Sequence, residues 1–190
     1  MTGALVTQQD ISAGRDNIGR DQINTNINLN LNGEKSPIAA WMAKLEIEIS
    51  NDQQVVQFID TLQMYQERYS HDGVSGLENK LTHSGRNQEA VNLALQKKEL
   101  FTRLMAKYAM FDSAQNIFAY LLSKLENDFR VYVLPNIAGM PSHEVDALFT
   151  QYLVGPCADE IKSGVFCLNA AIASGMVYWL AEQCYIRWHP

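Results

Sequence analysis

From Ile23 to Asn32 the chain alternates without a break, with Ile23, Thr25, Ile27, Leu29 and Leu31 on one side and five asparagines on the other. A period of two is the mark of a β-strand, whose successive side chains point to opposite faces. Two tandem pentads run into it, Gly14-Arg15-Asp16-Asn17-Ile18 and Gly19-Arg20-Asp21-Gln22-Ile23. In these, glycine permits a turn every five residues, isoleucine points inward, and the arginine and aspartate side chains can pair between stacked copies. Two copies fall short of the three or more that a self-supporting repeat needs. The rest of the chain looks helical and offers this strand no β partner. Copies of the chain are therefore expected to stack, closing their apolar faces and aligning their asparagines in amide ladders. The residues expected to carry this oligomerisation are Ile18, Ile23, Thr25, Ile27, Leu29 and Leu31.

After a hinge at Gly33 to Pro37 the period changes to that of helices. Ser36 and Pro37 form a helix start, followed by the stripe Ile38, Trp41, Met42, Leu45 and Ile49; Leu45 to Ile49 alternates well enough to serve as a short strand instead. Asp52 is expected to cap a second helix through Val55, Val56, Ile59 and Leu62 to about Tyr69, and a glycine-marked passage then surrounds a short turn at Leu77 to Leu81. From Asn87 a long stripe carries Val91, Ala94, Leu95, Phe101, Leu104, Met105 and Tyr108, with Gln96 to Glu99 mostly outward. Asp112, with Gln115 three residues on, reads as a capping box for the strongest amphipathic helix, which includes Phe118, Leu121, Leu125 and Val133 and is stopped by Pro135. A helix capped by Ser142 follows, broken or kinked at Gly155-Pro156, and the last runs from about Val165 to Arg187. The expected fold is mainly α: a loose segment 1–13, a β-forming oligomerisation segment 14–33, and a multi-helix domain over 34–190.

Composition narrows the function. A formal net charge of −6 and the absence of any run of five or six like charges argue against a nucleic-acid binder. Cys157, Cys167 and Cys184 are odd in number, form no C-x-x-C and sit among apolar residues, so reduced core thiols in a cytoplasmic protein are expected. No basic stretch followed by an apolar one opens the chain, so secretion is not expected. Ser163 to Ala181 is uncharged and about long enough to cross a bilayer, but Asn169, Ser163, Ser174 and two glycines make it only mildly apolar. A buried core helix is the preferred reading, and a membrane-perturbing effector using 163–181 the alternative. The sequence has no G-x-S-x-G, Walker loop, H-E-x-x-H, dinucleotide fingerprint or calcium loop. His71, His83 and His143 read as surface residues, and Glu182, Arg187 and His189 as the charged end of a core helix. No catalytic residue, cofactor or metal is expected, although an enzyme with an unrecognised site stays open as a further alternative.

The stretch Lys107 to Leu122, followed by Ser174 to Cys184 and Arg187-Trp188-His189, resembles the C-terminal helical domain of bacterial ABC-three-component conflict systems. The likeness covers about residues 85 to 189, and the pentads are similar to short β-forming repeats of bacterial conflict proteins. The resemblance implies a domain that ties effectors to a middle component and an ABC-type ATPase, in defence against phage. It carries over no catalytic residues, and no enzymatic domain is recognisable in front. The chain is thus expected to be an oligomerising adaptor or sensor, with Arg187 and an exposed Trp188 as candidate partner-binding residues at the end of the last helix.

Overall fold

The computed structural model describes residues 37–69, 73–162, 164, 166 and 169–189, so the pentads and the 23–32 alternation lie outside the described residues. Helix α1, Pro37–Ser50, runs unbroken through the stretch that could have been a strand and buries Ile38, Met42, Leu45 and Glu48. It ends where Asp52 turns left-handed at φ 52°. There the Gln53 N–H reaches the Glu48 carbonyl at 2.9 Å and the Asp52 N–H that of Ile49 at 3.3 Å, the two bonds of a Schellman stop.

Asp52 therefore closes one helix rather than capping the next. The helix expected over 52–69 shrinks to α2, Asp60–Met64. Its backbone donors find acceptors elsewhere: Val55 N–H donates to the Met110 carbonyl at 2.7 Å, Ile59 N–H to the Gln115 amide oxygen at 2.6 Å, and Tyr69 N–H to the Gln183 carbonyl at 2.9 Å. With those groups satisfied by tertiary partners, a local helix is not needed to pair them.

Helix α3, Leu77–His83, stops at Gly85 with the same Schellman pair of bonds. Helix α4, Gln88–Tyr108, starts where Asn87 accepts the Ala90 N–H at 2.9 Å, at the position from which the helical stripe was expected to run. Helix α5, Asp112–Asp128, begins as expected but not by a capping box. The Gln115 side chain turns away to Ile59 N and to the Gln57 carbonyl. The buried carboxylate of Glu48 serves the helix end instead, accepting both the Ser113 N–H and the Ser113 hydroxyl at 3.0 Å.

Two π turns then share one cause. Leu134 N–H bonds the Phe129 carbonyl and Gly155 N–H that of Thr150, each five residues back and each immediately before a proline, Pro135 or Pro156. A proline ring crowds the carbonyl four residues behind and cannot bond it, and a widened turn relieves both problems. The first turn, Phe129–Val133, extends α5; the second, Thr150–Val154, joins α6, Ser142–Phe149, to α7, Gly155–Glu160, so the Gly-Pro pair distorts the helical path without ending it. Ser142 is the first residue of α6, with no side-chain cap there.

The last helix is shorter than expected at both ends. Asn169 accepts the N–H groups of Ala171 and Ile172, starting α8, Ala170–Glu182, and Cys184 at φ 67° ends it with Tyr185 N–H bonded to the Leu180 carbonyl at 2.8 Å. Its 13 residues rise about 20 Å, against roughly 30 Å of bilayer hydrocarbon. No helix among the described residues is long and apolar enough to cross a membrane. Helix α8 is instead the centre of the fold, packed chiefly on α4 and also on α3, α5, α7 and the second π turn. Phe118, Leu121 and Leu125 of α5 share one buried core with Met176 and Leu180 of α8. Among the described residues there is no strand.

Candidate functional site

Polar side chains inside this fold mostly complete helix ends. Glu48 does so for α5, and Lys44 ties the arrangement together, 2.8 Å from Asp112 and 3.4 Å from Glu48. Burial alone would lower the Lys44 pKa, but the two carboxylates outweigh it and raise it above the ordinary lysine value. Glu182 plays the same part for α3, accepting the Leu77 N–H at 3.0 Å with Lys98 at 3.5 Å and Arg68 at 3.6 Å around it. Lys80 is fully buried and donates to the Ile186 carbonyl at 3.1 Å. The sulfur chemistry is equally inward: burial, and secondarily Glu160, pushes the Cys157 thiol up to about 12. Among the described residues, no group of three or more His, Cys, Asp or Glu side chains is placed to hold a metal ion.

One cleft differs from this pattern. It has a volume of about 190 Å³ and lies where α4, α6 and α8 meet the end of the chain. Its back wall is aromatic: Trp188 stacks on Phe149 with ring centres 4.7 Å apart and planes within 12°, and Tyr178 lies against the same indole at 5.8 Å. At the rim the largely covered guanidinium of Arg86 donates to Asp146 at 2.6 Å and to the Ser142 and Ser84 carbonyls at 3.1 and 2.9 Å. That side chain links the stop of α3 to the start of α6. Burial raises the Tyr178 pKa, and the nearby Asp146 carboxylate adds to the shift while Arg86 opposes it.

Half-buried Lys97 lines the same cleft. Among the described residues no carboxylate forms a salt bridge with it. With Arg86 and Asp146 paired, the cleft carries one uncompensated positive charge beside an aromatic wall. A second, shallower groove of about 570 Å³ runs along α5 between Trp41 and Lys124, whose ammonium is already held by Asp128 at 3.0 Å and Glu160 at 3.6 Å.

Of the residues expected to mediate assembly or bind partners, only Arg187 and Trp188 fall among the described residues. Ile18, Ile23, Thr25, Ile27, Leu29 and Leu31 lie outside the described residues. Trp188 is only 5% exposed and does not protrude as expected, because the chain leaves α8 at Cys184 and folds the indole back onto Phe149. Arg187, half-buried, follows the helix rather than belonging to it. Sequence reasoning missed Arg86, Lys97, Asp146 and Tyr178. Their only local signal is the Gly85-Arg86 step at a helix stop, and the juxtaposition itself arises from packing.

Residues 76–188, more than half of the chain, match the family model described as C-terminal domain 9 of the ABC-three component systems. The match contains every residue named in the aromatic cleft. No curated protein and no solved structure matches the chain.

Proposed function

We propose that this chain, which belongs to the family of C-terminal domain 9 of the ABC-three component systems, is a non-catalytic, oligomerising adaptor or sensor subunit of such a system. In this reading it acts in the cytoplasm in defence against phage, the segment 14–33 multimerises it, and the helical domain recruits protein partners that include an ABC-type ATPase. The observation that carries the reading is the use of polar groups in the domain. Glu48, Glu182 and Gln115 are engaged with helix ends and loops, whereas the cleft walled by Trp188 and Phe149 pairs a hydrophobic seat with an uncompensated lysine. Buried aromatics beside a charge are the makings of a protein-docking hot spot.

The test is co-purification of the full chain with the products of adjacent genes, run beside assays for nucleotide, ester and nucleic-acid hydrolysis by the purified chain. Recovery of an ATPase subunit without intrinsic turnover supports the adaptor; hydrolysis by the chain alone and no recovered partner refutes it. Light scattering covers the oligomer. Ile27→Asp should reduce the assembly to a folded monomer, because a carboxylate in an apolar seam costs several kcal/mol, on the order of 2–5. An unchanged mass removes the oligomerisation from the proposal.

A further inference from the structure

The aromatic cleft has a size and a charge, and together they specify an occupant. We infer that it receives one aromatic side chain from a peptide segment of a partner protein, with an acidic residue next to that side chain paired to Lys97. The inference rests on the docking role proposed above and names the chemistry of the docked segment.

Size comes first. The volume of about 190 Å³ lies below the range of roughly 300–1,000 Å³ typical of small-molecule pockets. It is close to the ~150 Å³ of an engineered cavity that accepts a benzene ring. A single ring from a partner is of the size this volume takes. The wall suits such a ring: the Phe149–Trp188 stack and Tyr178 offer an aromatic lining, and Val177 behind them is buried. Aromatic pairs in offset or edge-on contact add to the gain from burial alone.

Charge selects the neighbour of that ring. Three residues with charged side chains line the cleft: Arg86, Asp146 and Lys97. Arg86 and Asp146 neutralise one another at 2.6 Å, and Arg86 is held further by two backbone carbonyls. Lys97 is left to meet an incoming charge, and a carboxylate next to the anchored ring complements it. The rim is built on α4 and α6, so the seat is in place before the segment arrives.

The experiment uses the full chain and three blocked tetrapeptides: Ser-Asp-Phe-Ser, the same peptide with Lys in place of Asp, and the same peptide with Ser in place of Phe. Binding is followed by nuclear magnetic resonance at the Trp188 indole N–H and the Val177 methyl groups. The Asp-Phe peptide should shift both signals with a dissociation constant on the order of 1 mM, and both control peptides should bind at least about fivefold more weakly. Lys97→Glu should invert the preference between the Asp and Lys peptides. Ala90→Leu, which adds bulk at the lining from a helix-compatible position, should abolish the shifts while the melting temperature stays near that of the parent. No perturbation at Trp188 by about 10 mM peptide, or equal binding of the Asp and Lys peptides, overturns the inference. Co-purification that succeeds and is indifferent to Lys97→Glu and Ala90→Leu overturns it too, while leaving the adaptor reading intact.

Discussion

Gly175 lies where α8 packs tightly on Lys97 and Phe101 of α4, and replacing it sets two physical effects against each other. Helix propensity alone favours Gly175→Ala by about 1 kcal/mol, because alanine loses less conformational freedom in a helix interior. Packing opposes it. A Cβ at Gly175 would overlap the Lys97 carbonyl oxygen and come within 2.9 Å of the Phe101 Cβ and 3.1 Å of the Lys97 carbonyl carbon. A backbone carbonyl inside a helix has no alternative rotamer, so relief requires the two helices to separate along the fold's most extensive interhelical seam. Overpacking of this kind typically costs about 1–3 kcal/mol and occasionally more, and a clash with backbone belongs at the upper end. The expected net effect of Gly175→Ala is thus a loss of about 1–2 kcal/mol, with Gly175→Val worse because it adds branching and volume. Urea unfolding of the full chain, followed by circular dichroism, measures it; the midpoint should fall while the slope holds. A variant as stable as the parent, or more so, would mean that propensity wins and that α4 and α8 are not in such close contact.

Other consequences can be measured in the same way. Glu48→Ala leaves the Ser113 N–H and hydroxyl and the Lys44 ammonium without their buried acceptor, so unfolding free energy should drop by about 2 kcal/mol; a drop under about 0.5 would show that water replaces the cap. The raised pKa of Lys44 means that its contribution is complete below the ordinary value of 10.5 and is lost as pH climbs through the higher folded value, so the parent should lose more stability than Lys44→Met above pH 10.5 and the gap should stay constant from neutrality up to that point. Cys157, raised to about 12 from 9.0, has roughly a thousandfold less thiolate than an ordinary cysteine, so its alkylation by N-ethylmaleimide, mapped by mass spectrometry, should track unfolding; rapid labelling of the native chain counts against its burial. Asp52→Gly should stabilise the chain by about 0.5–1 kcal/mol in thermal or urea unfolding, because glycine takes the left-handed position without the strain borne by aspartate, and a loss would show that the Asp52 bond to Gln54 matters more.

What the sequence made visible was local. The stripe that starts at Asn87 and the one from Ile117 to Leu125 each repeat within one helix, so both could be read from neighbours and both are present. The start of α5 was visible and its cap was not, because the carboxylate that completes it comes from Glu48, 65 residues away. Asp112 and Gln115 had the right spacing for a reciprocal cap, but each found a tertiary partner first, in Lys44 and in the 57–59 backbone. The stop of α8 was hidden for a different reason. A left-handed C-terminal residue is usually glycine, and here it is Cys184, which gives no such signal. Extending the helix to Arg187 placed Trp188 on an outer face, whereas a turn three residues earlier sends the indole inward.

The cleft was further from view, because it depends on an irregularity that sequence periodicity does not encode. A π turn adds a residue to the helical path, and each added residue rotates the downstream side chains by about 100°. The second π turn thus lets α6 direct Phe149 toward Trp188 while α7, on the same helical path, directs Cys157 toward Met176 of α8, with their sulfurs 4.0 Å apart. A regular helix without the added residue would set Cys157 about 100° away from this orientation relative to Phe149. The first π turn braces this arrangement: Phe129 packs on Phe149 with ring centres 5.9 Å apart, and Tyr132 stacks on Tyr152 at 5.1 Å. The prolines that read as helix breakers are accommodated by widening, and the widened turns pair to hold one wall of the cleft. Pro135 and Pro156 therefore belong to the construction of the cleft as much as Trp188 does, although neither lines it.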